Sequence, residues 1–253
     1  MIYFSLAIGL ILIIFLSFAA RGLLITYVNP KTTLGFLFPG TVVHELSHAL
    51  LCLITGTTIK DLNIFTTNAT GIKYDKPKLP FVFDFIIAAA PIFGCAFSIF
   101  FISKLLSNPI QLNTTFPQEI HFTLKGFFDL IRHLLDSVWI TLNTVRDQIK
   151  ITNIYHVIFV LSIVIFTVSM SPHKQDIKHL VLGFIILSLL CFFLDKVGIL
   201  MIRYAWWNYC IKQLWFVTTL SISTLTTLLF VTLLIMAFIK GYRLTFGHKG
   251  SGK

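Results

Sequence analysis

The residues His44-Glu45-Leu46-Ser47-His48 set three ionisable side chains inside an otherwise apolar run, residues 34–55, long enough to cross a bilayer as a helix. Each charge at membrane depth costs at least ~2.5–3.5 kcal/mol on insertion scales, so such a cluster needs a partner that offsets it. On a helix, residues four apart lie one above the other, so His44 and His48 offer two imidazoles to one point. Neutral imidazoles hold Zn²⁺ at about 2.0–2.1 Å. Glu45, one of only two glutamates in the chain, stands roughly 100° round from His44, placed to take a proton from a water. The commonest meaning of an H-E-x-x-H match is a solvated surface helix, but an apolar setting weakens that reading, and a bound cation is the simplest partner.

The polar stripe continues beyond the motif. Thr41, His44, His48, Cys52 and Thr55 share one side of the helix, while Leu46, Leu50, Leu53 and Ile54 cover much of the rest. That is the pattern of a helix facing a wet cavity inside a bundle. Mean hydropathy of +0.87 over 253 residues, with 56% hydrophobic content, describes a single polytopic all-α membrane domain of about six spans over residues 1–253. The net charge of +10 sits at the ends of apolar runs, where it meets lipid headgroups. No basic–aromatic nucleic-acid motif accompanies it. Cys52, Cys95, Cys191 and Cys210 show no C-x-x-C spacing and read as buried thiols.

Spans are expected at residues 2–20 (ended by Arg21), 34–55, 81–106, 154–170, 171–194 and 215–239. The β-branched pieces at 59–67 and 72–74 read as short strands of a small hairpin-like loop. Residues 108–153, with apolar positions at three- and four-residue steps between charges, predict an amphipathic interfacial helix, broken or bent near Gly126. Lys and Arg divide equally between the two sides. Those around the long connection obey the charge rule least, which tips the reading toward a multi-pass protein with both termini cytoplasmic.

A catalytic zinc needs a third protein ligand and an open position. The best candidate is Asp176, within Ser171-Pro172-His173-Lys174-Gln175-Asp176, read as the N-cap and opening turns of the fifth span (third-ligand segment 171–187). His173, Asp176 and His179 would share one helix face, so either histidine is an alternative. Asp84 and Asp195 lie at helix ends, where a charge reaches water cheaply, and His156 reads as a bundle histidine with a hydrogen-bond partner.

These features together resemble the site-2 protease family of intramembrane zinc metalloproteases. They are the membrane-embedded H-E-x-x-H, the strand-like loop after it, Ala88-Ala89-Ala90-Pro91…Gly94 in the next span, and a later aspartate at the membrane edge. The resemblance covers roughly residues 36–94 and 171–187. It implies that His44, His48 and Asp176 bind Zn²⁺ and that Glu45 activates water for cleavage of membrane-embedded protein substrates. The chain departs from the family pattern in carrying Ser-Pro-x-x-x-Asp before Ile177 and in lacking the asparagine expected near Gly94. The alternatives are a zinc hydrolase of a non-protein membrane substrate and a non-enzymatic ion or proton carrier.

Overall fold

The computed structural model describes residues 2–27, 30–61, 73–75, 79–106, 117, 123–150, 152–173, 176–196 and 205–246. Seven helices dominate: α1 Ile2–Tyr27, α2 Pro30–Ile54, α3 Pro80–Leu105, α4 Leu124–Gln148, α5 Ile154–Ser169, α6 Ile177–Lys196 and α7 Ala205–Phe246. Five of them (α1, α2, α3, α6 and α7) are long and apolar enough to cross a membrane. In hydrocarbon every backbone polar group must find its partner inside the chain, and the helix is the local way to do so. The 16 residues of α5 reach only about 24 Å, short of a hydrocarbon core of about 30 Å. In contrast, the 42 residues of α7 extend to about 63 Å.

Many hydroxyls inside these helices are satisfied locally, although those of Ser169, Thr219 and Ser221 are buried without a partner. Along α7, Thr218, Thr224, Thr226, Thr227 and Thr232 each donate to the carbonyl four residues back. The apolar core joins Leu10, Ile13 and Ile14 of α1 to Ile92 and Ile99 of α3, Phe166 of α5, Phe184 of α6 and Leu225 of α7. The metal-motif helix α2 packs chiefly on α3 and α5.

Two glycines allow that close packing. A Cβ on Gly40 of α2 would stand 2.7 Å from Ser169 Cβ and 3.0 Å from Ile165 Cγ2, both on α5. A Cβ on Gly94 of α3 would stand 2.9 Å from Ser47 Cβ, inside the motif itself. Helix backbones therefore come together where the small residues lie, as in other membrane bundles. The pair Gly40 and Gly94 clamps the motif between its two neighbours.

Between α2 and α3 lie two short strands, β1 Ile59–Asp61 and β2 Lys73–Tyr74, paired antiparallel with Ile59 opposite Tyr74. The remainder of the expected strands, residues 62–72, lies outside the described residues. Helix α4 is amphipathic and unbroken. Gly126 stands in its first turn, where its N–H donates to the N-cap hydroxyl of Thr123 at 3.1 Å, so the expected bend there is absent. Val138 and Thr141 are buried on one side, and the helix packs on α7. Phe127, Phe128, Ile131, Leu135 and Trp139 remain exposed.

Three other expectations are corrected. Helix α1 does not end at Arg21 but runs a further six residues to Tyr27, with the arginine half-buried along it. Ser171-Pro172 does not open the next helix. Residues 171–173 are non-helical and α6 starts at Ile177, so His173, Asp176 and His179 are not stacked on one helix face. Finally, α7 begins at Ala205 and takes in Trp206, Trp207 and Tyr209, which were expected to lie outside the span.

Candidate metal centre

The polar stripe of α2 faces inward. His44, Glu45, His48 and Cys52 are each exposed by 4% or less, while Leu46, Leu50, Leu53 and Ile54 point outward, each 50% exposed or more. Opposite them, the chain leaves α5 at Ser169 and passes through Ser171–His173 before α6 begins. This non-helical crossing carries His173 to the motif. Ligand atoms of His44, His48 and His173 all lie within 4.8 Å of one another, close enough to bind a metal ion. Their rings meet with centroids 5.1 Å apart for His44–His48, 5.1 Å for His44–His173 and 5.8 Å for His48–His173.

Orientation of the rings comes from backbone carbonyls. His44 Nδ1 donates to the carbonyl of Ser169, the last residue of α5, at 2.7 Å. That bond puts the proton on Nδ1 and leaves Nε2, buried and without a partner, as the ligand atom. The proline in α3 has a matching role. Pro91 has no N–H, so it frees the Ile87 carbonyl four residues back. That carbonyl interacts with His48, although at a geometry short of a full hydrogen bond. A helix-distorting residue thus supplies a polar group to a metal-motif side chain.

The carboxylates lie beside the imidazoles. Glu45 Oε1 is 3.3 Å from His173 Nε2, and Glu45 Oε2 is buried without a partner. Asp176 Oδ2 is 3.9 Å from His48 Nε2. Asp176 therefore adjoins the cluster, but the group of three mutually close ligand atoms is His44, His48 and His173. Asp176 sits just before α6, its carbonyl accepting the first helical bond from Leu180 N at 2.9 Å, which is the N-cap position. Burial pushes its carboxyl up to about 6, against the opposing pull of His173 and His179. Tyr74 of β2 comes within electrostatic range of Asp176, Asp84 and Cys52. Burial first, and the two carboxylates second, push its phenol up, so it stands as a neutral hydroxyl beside the site.

The donor set fits a cation. His44 Nε2, both nitrogens of His48, His173 Nε2 and Glu45 Oε2 are buried and have no hydrogen-bond partner. Buried polar atoms are otherwise nearly always paired, and one nitrogen from each of the three histidines lies within 4.8 Å of the others, an arrangement a metal ion satisfies. His156, by contrast, binds the Gln148 carbonyl at 3.0 Å and ties α4 to α5, away from the cluster. Asp195 has no described side chain. Comparison with protein-family models, with characterised proteins and with solved structures gives no match, so the functional reading rests on this site.

Proposed function

We propose that the chain is an intramembrane zinc metalloprotease that hydrolyses peptide bonds of membrane-embedded or membrane-proximal proteins. The observation that carries this reading is the buried carboxylate of Glu45 beside three convergent imidazoles, two on the apolar helix α2 and one on the crossing before α6. Three imidazoles with a carboxylate nearby form a donor set suited to zinc, and a catalytic zinc site also needs a base that does not ligate. Glu45, adjacent to the cluster, takes that part, with Asp176 beside His48 as the group that orients that ring, so that the fourth position stays open.

Zinc, when bound, polarises a carbonyl and lowers the pKa of water toward about 7. The protein's own residues do the rest. His44 is held by the Ser169 carbonyl. Glu45 takes the proton of the attacking water and returns it to the leaving amine. The walls of α2, α3 and α5 exclude bulk water, which strengthens each electrostatic contact. A substrate helix hides its carbonyls in internal hydrogen bonds and must unwind first. The short β1–β2 pair, whose Tyr74 lies within electrostatic range of Asp176, offers a backbone edge onto which an extended strand can add.

The test is Glu45→Gln in purified protein. It should keep its metal and lose cleavage by at least about 10²-fold, the scale of a general base. Residual cleavage at the wild-type rate would remove Glu45 from the chemistry. Mass spectrometry of products formed by wild type separates peptide hydrolysis from hydrolysis of a lipid-linked amide or ester.

A further inference from the structure

Arg21 lies in α1 six residues before the helix ends at Tyr27, which at 1.5 Å per residue places it about 9 Å from that end. The neighbouring face of α1 is firmly packed: Ser17 and Ala20 are buried. One turn further on, the Leu24 carbonyl accepts from Thr33 Oγ1 of α2 at 3.3 Å. That contact ties this end of α1 to the helix carrying the motif. A helical side chain leans toward its own N-terminus, and α1 and α2 run antiparallel from that contact. The long arginine therefore reaches back along α2 toward the motif.

Its guanidinium lies within electrostatic range of Glu45 and His44. Among the described residues it makes neither a hydrogen bond nor an ion pair, and it is half-buried. A cation in a membrane helix without a close protein partner is costly and marks a site of function.

We infer that Arg21 is an anion-recognition residue of the centre, reading a carboxylate of the peptide substrate or product beside Glu45. This deepens the zinc-protease reading and rests on it for the identity of the substrate. The planar guanidinium matches a carboxylate with two parallel N–H···O bonds.

The experiment uses the purified full chain in detergent with Zn²⁺ added, and two probes of equal size: N-acetyl-leucine, a carboxylate, and N-acetyl-leucinamide, its neutral counterpart. Dissociation constants are measured by calorimetry for wild type, Arg21→Lys and Arg21→Met. Wild type should bind the carboxylate about tenfold or more tighter than the amide. Arg21→Lys should keep most of that preference, and Arg21→Met should reduce it to less than about twofold. Arg21→Met should also melt at a higher temperature than wild type, because it removes a half-buried charge that has no hydrogen bond or ion pair among the described residues. A preference that survives Arg21→Met, a wild type that does not distinguish the probes, or an Arg21→Met protein that is less stable than wild type overturns the inference. An Arg21-dependent preference in a protein that takes up no stoichiometric zinc supports the anion site while sinking the protease reading. Stoichiometric zinc with a preference independent of Arg21 does the reverse.

Discussion

Replacing Gly40 with alanine should loosen the metal centre without touching a ligand. The new methyl would stand 2.7 Å from Ser169 Cβ and 3.0 Å from Ile165 Cγ2, where carbon contacts normally lie at about 3.5–4.0 Å. Neither is a flexible side-chain end, so α2 and α5 must part by roughly 1 Å. The contact next to this clash is the bond from His44 Nδ1 to the Ser169 carbonyl, 2.7 Å long. If the separation is taken up along it, the bond stretches to roughly 3.7 Å, beyond the hydrogen-bond range. Overpacking of this kind costs about 1–3 kcal/mol of stability, and loss of a partner that orients a metal ligand costs ~10–100-fold in metal affinity. Thermal unfolding and zinc competition against a chelator measure the two effects separately. Ser169→Gly deletes the obstructing Cβ and keeps the carbonyl, so the double variant Gly40→Ala/Ser169→Gly should recover most of the lost affinity. An alanine at position 40 that binds zinc like wild type, or a double variant no better than the single one, would refute the reasoning.

Pro91→Ala should restore the N–H that bonds the Ile87 carbonyl and so draw that carbonyl away from His48. It should raise thermal stability, by up to ~3 kcal/mol on helix-propensity grounds, yet weaken zinc binding in the same chelator competition. Asp176→Asn and His173→Ala should separate on metal titration. Loss of an imidazole from the three-histidine group removes stoichiometric binding, whereas loss of the carboxylate 3.9 Å from His48 weakens it by ~10–100-fold.

The part of the site legible in the sequence is the part carried by one regular helix. The spacing of His44 and His48 and the inward polar stripe follow from 3.6-residue periodicity alone, and the structure buries His44, His48 and Cys52 and leaves Thr41 and Thr55 partly exposed. The Ser171–His173 crossing was harder to read. Ser171-Pro172 has the chemistry of a helix start, but α6 starts at Ile177, so the non-helical crossing brings His173 to the cluster and leaves Asp176 at the cap. A sequence has no local signal for where a non-helical turn points its side chains. Gly94 was legible as part of a small-residue stretch that lets another helix approach closely, but which residues come opposite it, and opposite Gly40, was not. Pro91 was readable as a freed carbonyl, but not as one that meets His48. Arg21 looked like a helix end because arginines commonly are; only the packing of α1 against α2 reveals its reach toward Glu45. Five long apolar helices define the membrane character, and the shorter α5 is the one apolar segment whose length alone does not fit a full crossing.

The central claim is that side chains on α2 and on the crossing before α6 jointly hold one divalent ion. Metal analysis of the purified protein, compared with His44→Ala and His173→Ala, tests it most directly. Wild type should carry one zinc per chain, and neither variant should retain any after chelator challenge. Wild type that carries no metal, or a His173→Ala protein that keeps its full complement, would contradict it.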